Sequence, residues 1–217
     1  MKLVIQLLLW IVIGVLGYLT FNAVYEPIEF NKVKEARYQK VIDKLKDIRK
    51  AQLAHKQVTG VFAGDFDNLI KFIDTAEYTV TQRRDTTVLD EEYKKTYGVD
   101  QYKSQTIVDT LGYVPVKDSI FKNSSRYKEM MYVPTTDKKA KFEIESGKIN
   151  KNDTEISVFE VKVSKDVILN DLDKDLLMQE KQVISVDGVN GEYIQIGSMT
   201  EINTNGNWPQ VYGANDQ

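Results

Sequence analysis

Residues 3–21 read LVIQLLLWIVIGVLGYLTF, and residues 32–58 read KVKEARYQKVIDKLKDIRKAQLAHKQV. The first stretch carries no charge, and thirteen of its positions are Leu, Ile, Val or Phe. A bilayer core about 30 Å thick needs roughly 17–25 apolar helical residues, so this length predicts a membrane-spanning helix. Near a helix centre each large apolar residue contributes roughly −0.3 to −0.6 kcal/mol, which together outweighs Gln6, Gly14, Gly17 and Thr20. A cleaved signal peptide would have an apolar core of about 7–15 residues and a small-x-small site. Here the run is longer, and Phe21 stands where a small residue ahead of Ala23 is wanted. Residues 1–22 therefore read as an uncleaved signal anchor. Lys2 lies on one side, while Lys32, Lys34, Arg37 and Lys40 follow on the other. The first ten residues past the span hold Glu26 and Glu29 but no Lys or Arg, and long domains translocate largely regardless of charge. The expected arrangement is a single-pass protein of the bacterial inner membrane with its body on the periplasmic side.

The second stretch is amphipathic. Tyr38, Val41, Ile42, Leu45 and Ile48 recur at helical spacing, and Lys, Arg, Asp, Glu and Gln occupy the other faces. The stripe can pack against the chain's own sheet, or it can bind a partner, as a coiled coil with a second chain would. Between the two stretches, Pro27 lacks an N–H and disfavours helix at Glu26. That predicts a juxtamembrane break over residues 23–31. Gly60, after Thr59, is a C-terminal stop.

Outward from the helix the signals turn towards strand. Asp65 is an N-cap candidate for a short helix carrying Leu69, Ile70, Phe72 and Ile73. Residues 78–89, YTVTQRRDTTVL, alternate and suggest a strand or hairpin arm, with a turn or two of helix at 90–97. Two Tyr-Val-Pro segments, at Tyr113 and Tyr132, each predict a turn and then a strand, with a short helix over SSRYKEMM between them. Residues 141–144 and 156–163 are strand candidates around a turn at 147–153. Residues 166–180 read as helix, and 182–186, 191–196 and 199–202 as strands. The tail from Asn203 is expected to be irregular. The fold class is thus α+β: a transmembrane helix, a long amphipathic helix on an antiparallel sheet (32–110), a β-rich part (111–202) and a tail (203–217).

Composition excludes several classes of function. The chain has 217 residues and a net charge of −3, without the basic footprint of a nucleic-acid binder. With no Cys there are no disulfides, thiolate metal sites or thiol chemistry, and one His, His55, rules out multi-histidine centres. Asp171, Asp173 and Asp175 open like a calcium loop, but Leu176 and Gln182 stand where the loop needs Gly and a bidentate acid. His55 reads as a surface residue or helix C-terminal cation, and Arg83-Arg84 as a charged loop. Asn123 and Asn152 open sequences of the glycosylation-acceptor type, which carry little meaning in a bacterial chain. No phosphate loop, dinucleotide fingerprint or nucleophile elbow is present, so no catalytic residue, cofactor or metal is assigned.

The apolar helix running into an amphipathic one, then Ala51-Gln52-Leu53-Ala54, Gly60-Val61-Phe62 and Asp65-Phe66-Asp67-Asn68-Leu69, resembles the type IV pilins and type II secretion pseudopilins. The resemblance covers about residues 1–75. It implies a helix-on-sheet fold and a non-enzymatic structural role in an envelope machine of secretion, motility or filament type. Gln6 stands where the family carries Glu, and no leader ending in Gly precedes the span. Both departures point to a fixed membrane component more than to an extracted filament subunit. The partners implied are the bilayer and other envelope proteins, or further copies of the chain. They would be met through the membrane helix, the amphipathic helix or the sheet edges. The alternative is a membrane-tethered domain that binds or senses a peptide or envelope polymer in a pocket lined by aromatics.

Overall fold

The computed structural model describes residues 2–122 and 124–213. Its axis is one helix, α1 (Lys2–Thr59), of 58 residues and about 87 Å at 1.5 Å per residue. Helical assignment runs without interruption across Pro27, where a break over 23–31 was expected. A proline inside a helix forfeits one backbone bond and costs roughly 3 kcal/mol. Here the next turns are held from outside: Phe30 is buried, and Lys34, Arg37 and Tyr38 bond to later parts of the chain.

The two halves of α1 have different surroundings. Its amino-terminal stretch is long and apolar enough to cross a membrane, and none of that window is buried in the body. Beyond Phe30 one face is enclosed. Tyr38, Val41, Ile42, Leu45 and Ile48 are all at most 1% exposed, continued by Ala51, Gln52 and Ala54. The stripe offered as a partner-binding surface is therefore interior to the chain's own body, because the sheet and α2 already cover it.

That sheet has the order β3 (Glu143–Lys151), β4 (Thr154–Ser164), β5 (Tyr193–Gly197), antiparallel throughout. Strand β3 continues to Lys151 through the expected 147–153 turn. The reversal needs only Asn152 and Asp153, both at positive φ, which suits a two-residue hairpin turn. Phe159, Val161, Val163, Ile194 and Ile196 join the same core as the α1 stripe, and the Phe62 and Phe159 rings lie 4.5 Å apart. Gly197 has φ +74, and a Cβ there would meet the Phe159 carbonyl oxygen at 2.1 Å, so only glycine lets β5 end against β4.

Two elements follow α1 in the chain. Helix α2 (Phe66–Thr75), capped by Asp65 as expected, buries Phe66, Leu69, Phe72 and Ile73. Strands β1 (Glu77–Leu89) and β2 (Tyr102–Pro115) form a separate two-stranded hairpin, about 40 Å long, with α3 (Glu91–Tyr97) at its tip. The division expected at 110/111 falls inside β2, and residues before and after the hairpin share one core.

After β2 the first Tyr-Val-Pro leads into α4 (Val116–Phe121) in place of a strand, and the second gives only an isolated bridge, Tyr132 with Lys141. Asn123 lies outside the described residues. The expected 166–180 helix divides into α5 (Lys165–Ile168) and α6 (Lys174–Lys181). Residues 182–186 and 199–202 form no strand. The tail docks as far as Gly213: Gly206 bridges Ile196, and Trp208 is buried. The remainder, 214–217, lies outside the described residues.

Candidate functional site at the exit of the helix

Where α1 leaves the body, a cleft of about 370 Å³ opens between Pro27–Tyr38 of the helix and the α6 segment with the loop after it. Phe30, Tyr38 and Tyr212 supply aromatic walls, and Lys34, Glu35, Glu180 and Asp187 supply charge.

Its floor is a buried charge network. Lys165, the first residue of α5 directly after β4, is 0% exposed. Its ammonium donates to the Glu180 carbonyl at 2.9 Å, the Val189 carbonyl at 2.7 Å and Glu180 Oε1 at 3.1 Å. An ammonium has three protons, so its donors are all engaged. Glu180 also accepts from Lys34 Nζ at 2.8 Å and the Tyr38 hydroxyl at 3.3 Å. Burial pushes the Lys165 ammonium below its ordinary value, against the pull of Glu180. Burial, helped by the Glu180 charge, holds the Tyr38 phenol far above its usual range. Because every group is committed to another, the network acts as a clamp: two α1 side chains and Lys165 fix α6 and the 180–189 loop.

Arg37, one turn beyond Lys34, completes the clamp. It donates to the Ile168 carbonyl at 2.9 Å and grips Asp171 with two bonds of 2.5 and 2.7 Å. The hydrogen bond from Arg37 holds the Asp171 carboxyl below its ordinary value. Asp173, the middle acid of the calcium-like run, caps α6 by accepting from the Asp175 and Leu176 N–H groups. A second cleft of about 350 Å³ lies beside it, between Tyr25–Val33 and the start of α6.

The other sequence candidates lie elsewhere. His55 Nδ1 is 2.7 Å from the Val61 carbonyl, and its ring packs edge-on against Phe72, 4.7 Å between centroids. It is thus part of the α1–α2 corner. Arg84 pairs with Asp109 across the hairpin. From the sequence, Lys34 and Arg37 entered only as charges beyond the span, and Lys165 and Glu180 not as site residues. Lys34 and Arg37 look like the rest of a charged helix face, and Lys165 and Glu180 are fifteen residues apart with no motif joining them.

Neither a family model, nor a curated protein, nor a solved structure matches this chain.

Proposed function

We propose that this protein is a non-enzymatic, single-pass component of a cell-envelope machine, a pilin-like or platform-like structural and assembly subunit anchored in the bacterial inner membrane with its body on the periplasmic side. The observation that carries the reading is the continuity of α1: the same helix supplies an apolar span that touches nothing else and the spine of the body's core. A rigid connection of this kind suits a part that transmits position or load between bilayer and partners. The free-standing β1–β2 hairpin, with Tyr97, Tyr102, Leu111 and Tyr113 exposed, supplies an arm for contacting other subunits.

The test uses the absence of cysteine. Single cysteines at the hairpin tip, for example Val99→Cys, are crosslinked in intact membranes. One or a few defined heavier species are expected, along with membrane association that survives alkaline washing and protease access from the periplasmic face only. A clean monomer, or release by the wash, would overturn the reading.

A second reading, a tethered domain that binds a peptide or envelope polymer, is favoured by the aromatic-lined cleft at the helix exit. It predicts saturable binding of such fragments to the detergent-solubilised chain, abolished by Tyr212→Ala.

A further inference from the structure

Ile184 and Val186 are 94% and 92% exposed, the most exposed large apolar side chains among the described residues. They exceed even the residues of the apolar span, of which Leu3 at 76% is the most open. Isolated exposed apolar residues are ordinary on a soluble surface. These two differ in how they are presented. They alternate with Val183 and Ser185, which line the cleft, so 184 and 186 both face away from it. The loop is also held at several points. Lys165 bonds the carbonyls of Glu180 and Val189 at its two ends, and the Ser185 N–H donates to Asn190 Oδ1 at 2.8 Å in its middle.

The position of the loop along α1 says what it meets. It shares the cleft with α1 from Pro27 to Tyr38, whose near end is Pro27, Phe30 and Asn31. At 1.5 Å per residue, Pro27 and Asn31 stand only about 9 and 15 Å beyond Phe21, the last residue of the apolar run. The polar layer of each leaflet is roughly 5–8 Å deep. Transmembrane helices tilt by about 20° on average, which would lower one side of the body towards the surface by several more ångströms. Together with the start of α6, which meets α1 at Tyr25 and Glu26, the loop lies on the side of the body nearer the apolar run.

We infer that the 182–188 loop is a lipid contact: Ile184 and Val186 enter the interfacial layer of the leaflet from which α1 emerges, and so fix the tilt and rotation of the body. This rests on the reading of α1 as a membrane anchor. Within 182–188 the only charged side chain is Asp187, so the contact is one of apolar insertion and not of attraction to anionic headgroups.

The cysteine-free chain allows a direct test. Ile184→Cys, Val186→Cys, Ile13→Cys in the span and Val58→Cys at the far end of α1 are each labelled with an environment-sensitive nitrobenzoxadiazole group. The full chain is reconstituted in phosphatidylcholine vesicles with and without phosphatidylglycerol, carrying nitroxide-labelled acyl chains. Labels at 184 and 186 should emit to the blue of the label at 58 and be quenched several-fold more by shallow nitroxides, equally in both lipid mixtures. Label 13 should be quenched by deep nitroxides. Water-like emission at 184 and 186 with label 13 quenched would overturn the loop contact and leave the anchor standing. Blue emission without lipid quenching would overturn it in favour of a protein cover. An unquenched label 13 would overturn the anchor reading itself, and this inference with it.

Discussion

Glu180 accepts from Lys165, Lys34 and Tyr38 in a site where its side chain is only 8% exposed. Removing one member of a buried ion pair typically costs about 3–5 kcal/mol, because the remaining charge is left uncompensated. Glu180→Leu should lower stability by about that much in urea titrations of the detergent-solubilised chain. Adding Lys165→Met removes the uncompensated charge but also the donor to the Glu180 and Val189 carbonyls, so it should recover part of the loss and not all of it. If the single and double variants are equally unstable, the charge network is not what holds the loop.

Gln52 is a second residue of this kind. It is buried, and its amide donates to the Ala63 carbonyl at 2.8 Å while accepting from the Ala63 N–H at 2.9 Å. Asp171 adds a pH dependence. Its carboxyl is held low by Arg37, so the unfolded chain takes up this proton first as the pH falls. The pair's contribution is present above the ordinary aspartate value of 3.8 and is lost as the pH falls through the lower folded value. Asp171→Asn should therefore flatten the loss of stability as the pH falls below the ordinary aspartate value of 3.8. An unchanged acid limb would mean that the Arg37 contact is not kept in solution.

Among the elements, the two halves of α1 and the hairpin make different demands. Leu45 is fully buried at the centre of the stripe, so Leu45→Ala should cost about 2–5 kcal/mol in the same titration. The hairpin should cost almost nothing to shorten. Its outer part, from Gln82 paired with Asp109 to Leu89 paired with Tyr102, bonds mainly to itself. Replacing residues 82–109 by a two-residue turn should leave the unfolding midpoint of the body unchanged while abolishing any crosslinks made from the tip. A large drop in midpoint would show that the arm folds back onto the body.

These elements were unevenly legible in the sequence. The first strand of the hairpin, the α2 cap and the β3–β4 pair were signalled by alternation or capping residues that act over a few positions, whereas β2 over 102–111 was not assigned. Residues 182–186, QVISV, alternate like a strand and are not one. The alternation there separates a cleft-facing row from an exposed row, and the Lys165 clamp supplies the order that a strand partner would otherwise give.

For the whole molecule, no buried core residue among the described residues precedes Phe30. Deleting residues 2–24 should accordingly leave a soluble, cooperatively folded body with unaltered near-ultraviolet circular dichroism. Aggregation of that fragment would mean that the apolar half of α1 is needed for folding and not only for anchoring.

The sequence by itself determined the α+β class, the apolar stretch able to cross a membrane, and the face of the long helix that would be apolar. Each is a local or periodic property that survives without knowledge of what lies opposite. Three matters were decided only by the tertiary structure. The stripe's partners are the chain's own α2, α4 and β5, in one core with β4. The helix runs through Pro27, where contacts made by Lys34, Arg37 and Tyr38 with residues more than a hundred positions away outweigh a local penalty. A clamp joins Lys34, Lys165 and Glu180 at the helix exit. The reason is common to all three: burial and ion pairing depend on which distant residues meet, and no local pattern encodes that meeting.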